Sequence, residues 1–221
     1  MNEPVTALAE FFNDFIGNVV PGSVLFGLFL LLFEWPVSIS EATAVSTAAI
    51  LLWVVLSYAT GHVLSATAAT LGSSLTRIGL SVDEATYLDG LESRGLVSEA
   101  RNALGVAPGS KLSTRDLRNK LMTASKEANR LAVRFMHMAL LCNGVAVAIT
   151  VALFARLYAY WFETSLLRVV PSSVHLTLES ALMLSVAWLL LTRGVEFRRR
   201  SLAIPFTAGP EQMKRDKVAQ P

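Results

Sequence analysis

The sequence predicts an all-α protein: a four-helix transmembrane bundle with both termini cytoplasmic and a small helical cytoplasmic insert between spans two and three. Three observations predict it. The 221 residues are 53% hydrophobic and only 16% charged, with a mean hydropathy of +0.50, whereas a soluble domain carries about a quarter charged residues. Residues 15–33, 42–76 and 135–155 contain no charge, and 174–192 contain only Glu179. Finally, the 19 Lys and Arg residues are lopsided: ten lie between Arg77 and Arg134, seven from Arg193 onward, and only Arg156 and Arg168 elsewhere.

A helix of roughly 20 apolar residues crosses about 30 Å of hydrocarbon, so the spans are placed at about 15–33, 43–66, 135–159 and 173–192. Runs this long without polar faces argue against a soluble helical bundle. The absence of a basic segment in residues 1–14 argues against a secretory signal. Basic residues mark the cytoplasmic side. The connection after span one holds Glu34 and Glu41 and no Lys or Arg, and the connection after span three holds Arg168 alone. Residues 72–134 and the tail are basic and therefore face the cytoplasm. Trp35 and the group Tyr158, Tyr160, Trp161 and Phe162 then fall at the outer interface, where amphipathic rings settle.

Four regions follow in order: 1–71, 72–134, 135–193 and 194–221. In the first, Phe11, Phe12 and Phe15 form the apolar face of an interfacial helix, or belong to a longer first helix kinked at Pro21-Gly22. Span two projects past the membrane, with His62 roughly 27 Å from Ala44 at 1.5 Å per residue and so near the inner surface.

In the insert, Ser81 and Glu84 have the spacing of a capping box. Val82, Ala85, Leu88 and Leu91 follow on one face, with a stop at Gly95. Ser98 starts a second short helix ending at Gly105, and Pro108-Gly109 marks a loop. Ser113 and Asp116 mark a third start. From there Leu117, Leu121, Ala124, Ala128, Leu131 and Phe135 trace a stripe without Gly or Pro. This predicts one helix from Thr114 to about Ala159, roughly 70 Å long, forming a stalk that leads into span three. The tail, with Pro205, Pro210 and Pro221 among polar residues, reads as basic and largely disordered.

Small residues recur every four positions in span two (Ser57, Gly61, Ser65, Ala69) and on a similar face of span three (Gly144, Ala148, Ala152). Such faces let helices approach closely in lipid. They pack spans two and three together or form an interface between subunits. Four intramembrane polar residues stand out: His62, Asn143, Arg156 and Glu179. Asn143 suits an interhelical polar lock. His62 is a hydrogen-bonding group or a proton relay. Glu179 and Arg156 lie at similar depth from the outer side, as an ion pair or as part of an ion path.

Lys126, Arg130 and Arg134 recur every four residues leading to the membrane, and Arg198, Arg199 and Arg200 follow span four. Both groups are ordinary positive-inside flanks or contacts for anionic headgroups. Tyr87 is the only aromatic in residues 72–134, against a nucleic-acid partner. Cys142, the single cysteine, has no metal-ligand neighbours in sequence. With no HExxH, GxSxG or paired-carboxylate motif, no enzyme activity, metal or cofactor is expected.

The layout of two membrane hairpins around a helical insert resembles several small bacterial membrane proteins, including effectors of anti-phage defence. The likeness is one of architecture and covers no diagnostic residue. The expectation is a homo-oligomer in a bacterial cytoplasmic (inner) membrane, its insert receiving a cytoplasmic protein or small-molecule signal and its bundle transmitting that signal or altering permeability. The rival is a non-conducting scaffold that anchors a soluble partner.

Overall fold

The computed structural model describes residues 3–34, 47–107, 110 and 112–218. Trp35, Glu41, the expected start of span two at Thr43, Pro108-Gly109 and Lys111 lie outside the described residues, as do the side chains of Phe11 and Phe12. The described chain is helical: α1 Glu3–Leu32, α2 Thr47–Thr70, α3 Gly72–Arg77, α4 Glu84–Ser93, α5 Leu96–Ala103, α6 Thr114–Ala124, α7 Lys126–Phe162 and α8 Ser173–Val218, with a 3-10 turn at Thr164–Leu166. Among the described residues, α1, α2, α7 and α8 are long and apolar enough to cross a membrane, consistent with a multi-pass membrane protein. The residues fall into two compact units, Met1–Gly72 with Leu140–Gly194, and Ser73–Ala139 with Val195–Pro221. By their residue ranges, α7 and α8 each supply residues to both.

The first unit is assembled by close backbone approach. A Cβ on Gly22 would fall 1.9 Å from the Ser57 carbonyl oxygen, and one on Gly61 would fall 1.7 Å from that of Asn18. Only glycine allows α1 and α2 to meet at these two points. Gly144 of α7 receives the Pro21 ring, 2.9 Å from where its Cβ would lie. Pro21 sits inside the continuous α1, so the first apolar run belongs to the longer helix. The small face of α2 therefore meets α1 at Ser57 and Gly61, and the expected pairing of spans two and three is only part of the packing. Leu64 and Ala68 do meet Val147 and Ala148 of α7, with Val24 and Leu25 of α1 against the same cluster. Ala152 is fully buried, whereas Ala69 is exposed.

The second unit has a water-type core of Leu88, Leu91, Val97, Ala100, Leu117, Leu121, Leu202 and Phe206. Its helix starts are partly those expected. Ser113 caps α6 by accepting from the Asp116 N–H at 3.1 Å. The cap of α4 is Asp83, not Ser81: its carboxylate accepts from the Ala85 N–H at 3.2 Å and the Thr86 hydroxyl at 2.6 Å. Glu84, the expected partner in the box, is drawn instead to Arg198, 3.0 Å away. Gly95, at φ 78°, makes the left-handed turn between α4 and α5, so α5 starts at Leu96 and not at Ser98.

Two larger expectations are corrected. The helix from Thr114 does not run unbroken into span three. Ser125 is extended (φ −122°, ψ 102°), separating α6 from α7. Its hydroxyl accepts from the Ala128 N–H at 3.2 Å and donates to Gln212 Oε1. The residues after 194 are also helical up to Val218. Pro205 and Pro210 lie within α8 and are fully buried. Leu202 and Phe206 complete the core, Arg118 reaches the Ser201 carbonyl, and Lys214 pairs with Glu99 at 2.9 Å. Burial of one face outweighs the helix-breaking tendency of the prolines.

Candidate functional site

The strongest concentration of chemistry in the first unit is a charged cluster joining three elements. Arg156 lies six residues before the end of α7, and Glu179 six residues after the start of α8. At 1.5 Å per residue each is about 9 Å from its helix end. Arg156 is only 7% exposed. Its Nε donates to Glu179 Oε2 at 3.0 Å, and its Nη2 lies 2.9 Å from the same oxygen. Its Nη1 donates to the Leu32 carbonyl at 3.3 Å. Leu32 ends α1, where carbonyls have no helical donor. The Arg168 N–H reaches the same carbonyl at 3.3 Å, and the Glu34 N–H donates to the Leu166 carbonyl at 2.9 Å. One guanidinium thus ties α7 to α8 and to the end of α1. A buried arginine is tolerated in such a place when a carboxylate and carbonyls satisfy it. His175 takes no part, because its Nδ1 pairs with the Ser172 hydroxyl at 2.7 Å.

The other polar residues do not converge on this cluster. Asn143 Oδ1 is buried with no hydrogen-bond partner among the described residues, so it makes no interhelical lock through that atom. A polar contact between α1 and α2 runs instead from Ser65 Oγ to Asn18 Oδ1 at 3.4 Å. Sequence reasoning misses Asn18 and Gly22 as contact residues. The usable signal is their recurrence four residues apart in an apolar run, which Pro21-Gly22 disguises as a kink. His62 is exposed and sits edge-on to Tyr58, with ring centroids 4.6 Å apart. Thr67, Thr70, Thr150, Thr177, Ser185 and Thr192 donate to carbonyls three or four residues back in their own helices.

The basic residues separate into two kinds. Lys126, Arg130 and Arg134 share an exposed side of α7. Arg198 is half-buried and bonded to Glu84 and Met136, a structural tie within the second unit. Arg199 is exposed, and Arg200 pairs with Glu196 and lies 5.8 Å from the Phe135 ring centre. Arg118, beside Arg198 and Arg115, is held below the ordinary guanidinium range, first by burial and then by those like charges, with Glu84 acting in opposition. Among the described residues no three His, Cys, Asp or Glu side chains group as metal ligands would. Comparison of the chain with protein-family models, with curated proteins and with solved structures finds no match.

Proposed function

We propose that the chain is a multi-pass protein of a bacterial inner membrane, with its basic second unit and both termini in the cytoplasm. In this reading the protein is a homo-oligomer. The second unit receives a protein or small-molecule signal, and α7 and α8 carry the response into the bundle, where permeability changes. The observation that carries the reading is the continuity of α7 and α8, each of which has residues in both units. Charge supports the orientation. The second unit holds sixteen basic and ten acidic residues, a formal +6, and the first holds three and seven, a formal −4, together giving the chain's +2. Lys126, Arg130 and Arg134 would rest against anionic headgroups, each contributing about 1 kcal/mol near the surface.

The direct test is native mass spectrometry of the full chain in mild detergent, paired with ion-flux assays in liposomes. The reading expects an oligomer and a flux that responds to a ligand of the second unit. A strict monomer, or liposomes that never conduct, would overturn it.

One observation favours a second reading, that of a non-conducting scaffold anchoring a soluble partner. The hydroxyls of Thr67, Thr70, Thr150, Thr177, Ser185 and Thr192 bond within their own helices, which leaves them poorly suited to line a water path. The scaffold predicts partner capture that survives Glu179→Ala and Asn143→Ala.

A further inference from the structure

The first unit contains an open apolar groove of about 440 Å³ at the end of its helices, lined by Phe29, Phe33, Glu34, Ala155, Tyr158, Ala159 and Leu166. Its construction follows from side-chain size. Ala155 and Ala159 are one helical turn apart on α7 and leave room where larger residues would fill the space. Phe29 of α1 and Phe33 just beyond its end, stacked with ring centres 5.0 Å apart, form an aromatic wall, and Tyr158 supplies a second. Leu166 is held in place by the Glu34 N–H to Leu166 carbonyl bond at 2.9 Å and by the bridge between Phe33 and Leu167. The groove is therefore preformed, and its volume lies within the range of small-molecule sites.

Position and charge identify the occupant. The groove lies at the ends of two helices long and apolar enough to cross a membrane, near the exposed aromatics Tyr158, Trp161 and Phe162. With those rings at the interface, where aromatics settle, the groove would sit where acyl chains meet headgroups. Glu34 is exposed and is the one charged residue in the lining among the described residues. Arg156 does not offset it at the groove, because its donors go to Glu179 and the Leu32 carbonyl, and the Arg168 side chain is not part of the lining. Among the described residues no cation pairs with Glu34, so an anionic headgroup would meet a like charge there, whereas a primary ammonium would find a counter-ion.

We infer that this groove holds an acyl chain of a bilayer phospholipid with a primary-amine headgroup, whose ammonium pairs with Glu34. The inference rests on the placement of the first unit in a membrane and is independent of signal transmission, so a protein that never conducts leaves it standing.

The test uses the full chain in mild detergent, incubated with equal amounts of phosphatidylethanolamine, phosphatidylcholine and phosphatidylglycerol, and read by native mass spectrometry. The expected result is one tightly retained phosphatidylethanolamine per chain, preferred over each of the others by about fivefold, the scale of one exposed ion pair. Glu34→Gln should abolish that preference while lipid is still retained. Ala155→Leu, checked for helicity by circular dichroism, should lose lipid of every headgroup. If the filled variant fails to fold, the exposed Glu34 substitution decides. Equal retention of the three lipids by the unaltered chain overturns the inference, as does undiminished retention by a folded Ala155→Leu. So does conversion of an oligomer to monomers by Ala155→Leu without loss of lipid, which would make the groove a contact between copies.

Discussion

The two units have opposite interiors. In the second, the large side chains are inside: Leu91, Val97, Leu117, Leu121, Leu202 and Phe206 are all essentially inaccessible. Ile78 is its only exposed large hydrophobic residue among those described. In the first, the fully buried positions include Ser57, Pro21, Ala148 and Ala152, while Leu52, Val63, Phe154, Trp161, Leu182 and Leu189 are turned outward. A water-soluble surface does not sustain so extensive an apolar exterior. In lipid the exterior needs no concealment and provides no drive for association, so helices are held by close approach, small residues and polar contacts. The difference teaches that two solvents shaped one chain, and that equal substitutions should act differently in the two units.

The largest effect is expected where the first unit depends on charge. Arg156→Ala leaves the Glu179 carboxylate without its partner and should cost about 3–5 kcal/mol, measured as loss of resistance to unfolding in detergent. Arg156→Met with Glu179→Leu should recover most of that loss, because a well-packed apolar pair avoids desolvation. If the double replacement is as unstable as the single one, the hydrogen bond to Leu32 outweighs the ion pair. In the second unit the matching loss comes from volume. Leu121→Ala should cost about 2–5 kcal/mol by leaving a cavity, and protease sensitivity of the tail beyond Val195 should rise with it. An unchanged tail would contradict its place in that core.

Glycine gives the sharpest contrast. Gly61→Ala sets a Cβ against the Asn18 backbone and should destabilise by about 1–3 kcal/mol, the scale of overpacking. Gly90 lies within α4, and a methyl group added there would meet no atom within 4 Å, so Gly90→Ala should stabilise by about 0.5–1 kcal/mol. Melting curves that moved in the same direction for both would remove the distinction between the interiors.

The smallest effect is a pH dependence. The Thr86 hydroxyl is the largest influence holding the Asp83 carboxyl below its ordinary value, with backbone hydrogen bonds adding to it. A depressed folded value means that this contribution is present above the ordinary carboxylate range and fades as pH falls through the lowered one. Thr86→Val should flatten that acid limb in a thermal titration.

The spans were legible because apolar length is a property of contiguous sequence. Arg156 and Glu179 could be paired from depth alone, since helical rise converts residue number into distance. The cap at Ser113 was equally local. The break at Ser125 was not legible, because its hydroxyl is engaged by Gln212, 87 positions away. Nor was the helical tail, since Pro205 and Pro210 read as breakers until Leu202 and Phe206 are seen in a shared core. The small face of α2 was visible, but its partner on α1 was not, because spacing shows that a helix can be approached closely without showing by what.

The central claim, a membrane unit and a separate polar unit on the cytoplasmic side, is tested most directly by thiol labelling. The native cysteine Cys142 is buried and is replaced by Ser, and single cysteines are placed at Lys120, Thr164 and Leu182, which are all exposed in the structure. With a membrane-impermeant reagent, the account predicts that Lys120→Cys reacts in inverted vesicles but not in intact spheroplasts, that Thr164→Cys does the reverse, and that Leu182→Cys reacts in neither. Labelling of Leu182→Cys, or of Lys120→Cys from the outside, would contradict it.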